Sequence, residues 1–157
     1  METEDLKRFL SVERTLTKSL VSWSVASIAL GTSIALTGHK FGKKNVTEFG
    51  RQSAAWGGVD LAIAGVGLLA QRRRGTLSVD QTQRQIRNLR RLLVINAVAD
   101  VGYMAGGIAI MKRSLQKKSS FRMGPRDGSA IVIQGAFLFI LDVSQAKRLQ
   151  ATSELRS

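Results

Sequence analysis

Three aspartates, Asp60, Asp100 and Asp142, lie well inside stretches of the sequence that are otherwise almost free of charge, and Asn96, Tyr103 and Gln134 share those stretches. Carboxyls in apolar surroundings can do two kinds of work. They can take up and release a proton or a cation, as acids inside membrane transporters do, or they can hydrogen-bond one helix to the next. Spacing groups them. Asn96, Asp100 and Tyr103, at i, i+4 and i+7, would share one stripe of a helix, and Trp56 and Asp60, at i and i+4, would share another.

Other chemistries have no comparable set of residues. There is no Cys and a single His39, which removes thiolate nucleophiles, disulfides and His- or Cys-based metal centres. No nucleophile has a base beside it, and the glycines have no strand pattern around them of the kind a dinucleotide site needs. The expectation is therefore a protein that is not an enzyme and that carries no metal and no cofactor. His39, at the end of an apolar stretch, reads as an interfacial polar residue.

The elements that must position these groups follow from where the cations are not. The chain has 157 residues and 24 Lys plus Arg, yet none of those cations falls in residues 19–39, 52–71, 92–111 or 127–146. Each window is 20 or 21 residues long. Twenty helical residues rise about 30 Å, the thickness of a bilayer's hydrocarbon core, so the windows read as four transmembrane spans. A basic soluble bundle would instead show Lys or Arg about once per turn opposite its apolar face. The expected fold is all-α: one membrane domain over residues 1–157, a four-transmembrane-helix bundle running up and down, preceded by an amphipathic N-terminal helix. In that helix Leu6, Phe9, Leu10, Val12 and Leu16 supply an apolar face directed at the membrane surface. The following apolar run is longer than a usual signal-peptide core and has no clear small-residue cleavage site, which favours an uncleaved span.

Depth can be counted along these spans at about 1.5 Å per residue. Asp60 comes to about 12 Å from one face, Tyr103 to about 13 Å and Gln134 to about 10 Å, so these three share a layer. Asn96 and Asp142 both lie about 6 to 8 Å from the opposite face, with Asp100 between the two layers. The six residues form one polar seam. With no Lys, Arg or His at that depth, Asp60 and Asp100 are expected to hold their protons and to donate hydrogen bonds to Gln134, Tyr103 or backbone carbonyls. Two functions stay open. The leading one is a small structural or interaction membrane protein whose seam fixes its own bundle. The alternative is an oligomeric proton- or cation-coupled transporter or channel using Asp60 and Asp100, oligomeric because four spans make a thin wall for a pathway.

Small residues and loops complete the plan. Gly31, Ala35 and Gly38 would let another helix approach the first span, and Gly102 and Gly106 form a GxxxG pair expected at a close crossing. Ile86 and Leu89, within residues 76–91, continue at helical spacing to Leu93, so the third helix is expected to begin before the membrane does. The MGPRDG segment reads as a plain turn. The net charge of +13 lies in the segments flanking the spans. That placement suits anionic lipid headgroups, with Arg72, Arg73, Arg74, Lys117 and Lys118 as contacts, and argues against nucleic acid as a partner. Fourteen cations fall on the side that holds both termini and ten on the other, which by the positive-inside rule places the termini in the cytoplasm. The expected partners are the bilayer, its anionic headgroups, and a second copy or another membrane protein.

Three stretches together carry a resemblance. AAWGGVDLAIAG, INAVADVGYMAGG and VIQGAFLFILD resemble an uncharacterised family of short bacterial four-helix integral membrane proteins, a domain of unknown function. Asn96, Asp100, Tyr103, Gln134 and Asp142 fall on the matching motif. The resemblance implies four spans and a bacterial inner-membrane location, and it implies no activity.

Overall fold

A computed structural model describes residues 2–115 and 125–154, with side chains placed over residues 4–112 and 128–150. The chain folds into four helices, α1 (Glu2–Lys40), α2 (Lys44–Arg73), α3 (Val79–Leu115) and α4 (Pro125–Glu154). All four are long and apolar enough to cross a membrane. Their outer surfaces agree with that reading, because Leu36, Val66, Val98 and Ile140 stand largely exposed along the apolar windows.

Local sequence explains where the helices stop and start. After Lys40 the chain closes a Schellman turn, in which Lys43 N–H bonds Gly38 C=O at 2.8 Å and Gly42 N–H bonds His39 C=O at 3.1 Å. That turn requires a left-handed residue, and Gly42 supplies it with φ +65°. The start of α3 is a capping box: Gln81 N–H bonds Ser78 Oγ at 3.3 Å while Ser78 N–H bonds Gln81 Oε1 at 2.9 Å. This places the beginning of α3 thirteen residues ahead of the third cation-free window, as the spacing of Ile86, Leu89 and Leu93 suggests.

The helices pair as two antiparallel hairpins, α1 with α2 and α3 with α4. Small residues set the first pairing. A side chain at Gly31 would lie 2.6 Å from Ala54 N, and one at Gly50 would collide with Ala35 N and Gly31 O, so these backbones touch with nothing between them. In the second pairing Gly107 and Gly128 face each other in the same way. The GxxxG expectation is corrected here: a side chain at Gly102 or Gly106 would meet nothing within 4 Å among the described residues. The reason is angular. Asp100, Met104 and Gly107 form the stripe that faces α4, and Gly102 and Gly106 lie round the helix from that stripe. The two hairpins meet through α4, which packs against both α1 and α2, and through the first turns of α3 against α1.

The 39 residues of α1 and 37 of α3 would rise about 55 to 60 Å, nearly twice a hydrocarbon core. The excess of both helices lies at one end of the bundle, with the ends of α2 and α4. There Phe9, Val12, Ile86, Leu93, Ala146 and Leu149 form a buried apolar core, with Leu16, Leu77 and Leu89 packed against it. The N-terminal apolar face is thus not turned to a membrane surface. It is the first third of a continuous α1, and α3 and α4 extend far enough to offer it an apolar partner, which buries Phe9 and Val12 more fully than a membrane surface would. Polar bonds ring this head. Arg74 clasps Glu13 through two contacts of 2.7 Å, Gln71 Nε2 donates to Thr17 Oγ1 at 3.1 Å, and Gln83 Nε2 donates to Asp5 Oδ2 at 2.8 Å.

Candidate functional site

The polar seam is assembled by α2, α3 and α4. Asp60, Asp100, Gln134 and Asp142 are 1%, 4%, 5% and 8% exposed, so four of its six members are buried. Gln134 of α4 donates its Nε2 hydrogen to Asp60 Oδ2 of α2, the pairing their similar depth suggests. Because the carboxamide is the donor, Asp60 needs no proton for this contact. It was expected to be the donor; a carboxamide carries both kinds of group and here presents the other one. At the second layer the Asn96 side chain is within hydrogen-bonding reach of the Asp142 carboxyl, joining α3 to α4. Asp100 stands between the layers, near enough for its charge to act on both Asp60 and Asp142. Its Oδ2 is buried and has no hydrogen-bond partner.

The remaining members stand at the margin. Tyr103 is 53% exposed and meets the Trp56 ring edge-on at 6.1 Å, one turn away from the Asp60–Gln134 contact. That ring contact bridges α2 and α3. Asn96 is also exposed, although its side chain reaches Asp142 of α4. The stripe of Asn96, Asp100 and Tyr103 therefore has one buried residue flanked by two partly open ones.

Sequence reading missed several buried groups. Ser24 is completely buried on α1, where it donates to Leu20 C=O at 2.6 Å and lies beside Gly57 of α2. Gln145, 5% exposed, continues the α4 face begun by Gln134 and Asp142 and accepts from Arg148 Nη1 at 3.3 Å. Its spacing of i+3 from Asp142 was the signal available, and its place at a window edge concealed it. Trp23 stacks flat on Phe137 with 4.0 Å between ring centres, which couples α1 to α4.

The expected headgroup contacts divide three ways. Arg72 and Arg73 are exposed at the end of α2. Arg74 is corrected: its guanidinium is engaged by Glu13 and lies 5.2 Å above the Phe9 ring, with 19% of its side chain exposed, because the head packs over it. Lys117 and Lys118 lie outside the described residues.

Neither a curated protein nor a solved structure matches the chain. A family model does, over residues 19–143, which run from the first cation-free window into α4 just past Asp142. The chain belongs to that family, the family of unknown function DUF6992.

Proposed function

From that membership, which brings no activity with it, we propose that the protein is a small multi-pass component of a bacterial inner membrane, with both termini in the cytoplasm and a structural or interaction role. It is not an enzyme and uses no cofactor. The observation that carries this reading is the buried Asp60–Gln134 contact between α2 and α4, which fastens one hairpin to the other in the middle of an apolar bundle. In lipid the hydrophobic effect gives helices no reason to prefer one another over acyl chains, so polar contacts and close backbone crossings must specify which helices pair. The seam and the glycine contacts of α1 with α2 and of α3 with α4 are both of that kind. The head formed at the terminal end would stand in the cytoplasm, and the apolar outer faces would meet lipid, a second copy or another membrane protein.

A second reading is favoured by one atom. Asp100 Oδ2 is buried without a partner between two other carboxyls, an arrangement suited to passing a proton or cation between layers. Replacing Asp100 with Asn separates the two readings. The variant would be assayed for thermal stability in detergent and for proton or cation flux in liposomes across pH. A structural seam gives no flux in the wild type under any gradient; wild-type flux that vanishes in the variant at unchanged stability overturns the structural reading.

A further inference from the structure

Away from the seam, a groove of about 260 Å³ runs along the outside of the α3/α4 hairpin. Both helices line it with one face each. On α3 these are positions 90, 93, 94, 97, 98 and 101, and on antiparallel α4 positions 150, 147, 146, 143 and 139, the same helical spacing read in opposite directions. The two walls change character together. At the terminal end the lining is Arg90 and Lys147 with Gln150; further in it is Val94, Val98, Val101, Phe139 and Val143.

Three features identify what such a groove takes. First, the charge is of one sign: no acid is among the lining residues, and neither Arg90 nor Lys147 forms an ion pair among the described residues. Second, both cations lie just beyond the cation-free windows, whose edges on this side are residues 92 and 146, about 1.5 to 3 Å outside the hydrocarbon and on the side of the lipid phosphates. Third, the distance along α3 from Arg90 to Val101 is about 16 Å, close to the ~15 Å of one leaflet's hydrocarbon rather than the ~30 Å of both. A helix of a partner protein would have no reason to stop at mid-membrane, and a soluble anion would have no use for the apolar length.

We propose that this groove is a binding site for one anionic phospholipid of the leaflet facing the terminal end, with its phosphate held between Arg90 and Lys147 and an acyl chain laid along Val94, Val98 and Val101 against Phe139 and Val143. The site is separate from the seam and does not depend on whether the seam is structural or conducting. Its cations are also distinct from the exposed Arg72 and Arg73, which do not line this groove.

The test is native mass spectrometry of the full chain in detergent, titrated with dioleoyl phosphatidylglycerol or dioleoyl phosphatidylcholine. The wild type retains one phosphatidylglycerol in preference to phosphatidylcholine. A basic residue at the membrane surface contributes about five-fold, so the double variant Arg90→Gln, Lys147→Gln binds phosphatidylglycerol about thirty-fold more weakly. Arg72→Gln with Arg73→Gln leaves that affinity unchanged. Val98→Trp fills the apolar wall at an exposed position and displaces the lipid, and glycerol phosphate does not compete. Equal retention of both lipids, equal loss in the Arg72/Arg73 variant, competition by glycerol phosphate, or an indifferent Val98→Trp each overturns the proposal. So does a dimer that Val98→Trp dissociates, which would assign the groove to a second copy. Circular dichroism reports folding, and Lys147→Gln alone, at an exposed site, provides the cation test if the double variant unfolds.

Discussion

Replacing Gln134 by Leu tests the seam at its best-defined contact. The Gln134 carboxamide donates to Asp60, and both are almost wholly buried, so the leucine leaves a carboxyl in a dry bundle with its hydrogen-bond donor removed. Leaving a buried polar group unpaired costs about 1 to 3 kcal/mol. Asp60→Leu leaves the carboxamide orphaned and costs a similar amount. In the double variant Asp60→Leu, Gln134→Leu neither orphan exists and two apolar side chains face each other, so its loss falls short of the sum of the singles by the coupling energy. The coupling energy then reads the contact itself, expected near 0.6 kcal/mol and no more than about 1.7 kcal/mol from measured interhelical bonds in membranes. Asp60→Asn keeps an oxygen acceptor at the same place and stays close to wild type. The assay is reversible unfolding in mixed micelles titrated with SDS, followed by tryptophan emission. Trp56 lies one turn from Asp60 and reports its surroundings directly. Singles and double that add within about 0.3 kcal/mol would refute the contact, since independent sites behave so. An Asn variant as weak as the Leu variant would refute the argument that only an acceptor is needed.

Other outcomes follow from particular contacts. Gly50→Ala should cost about 1 to 3 kcal/mol in the same titration, because its methyl meets the backbone of α1, whereas Gly102→Ala and Gly106→Ala, in open space, should be neutral or stabilising by about 0.5 to 1 kcal/mol. Phe9→Ala should cost about 3 to 5 kcal/mol by emptying the head's core, and Leu10→Ala, about half exposed beside it, should change stability little. Breaking the Glu13–Arg74 clasp with Arg74→Gln should cost about 1.5 to 3 kcal/mol and expose the link between α2 and α3 to protease, while Arg72→Gln leaves both readouts unchanged.

Much of the site was legible before any coordinates. Asp60 and Gln134 were placed in one layer by counting residues from the window edges, and they touch. Asn96 and Asp142 were placed in the other, and they reach each other. That arithmetic works because an α-helix has a fixed rise and a bilayer a fixed thickness. What failed was anything that needed rotation or neighbours. Gly102 and Gly106 look like a crossing by spacing, but a residue's partner depends on which side of the helix another helix occupies. Ser24 is buried because Gly57 brings α2 against it, and nothing in the residues around Ser24 announces that.

The order of polarity along the bundle shows the division most clearly. Sequence alone determined four helices, their apolar lengths, the level of each polar group and the crowding of cations outside the windows, because these depend only on composition and on helical rise. Only the tertiary structure decided that an apolar core forms at and beyond the window edges, where Phe9, Val12, Ile86 and Leu149 meet Leu93 and Ala146, while the acids are buried deeper within the windows. It also decided that Arg74 belongs to Glu13 rather than to lipid. Water drives apolar side chains together only where water is present, and hydrocarbon does the same for polar ones. Which residues then meet depends on helix rotation and pairing, and those are properties of the packed bundle rather than of any one segment.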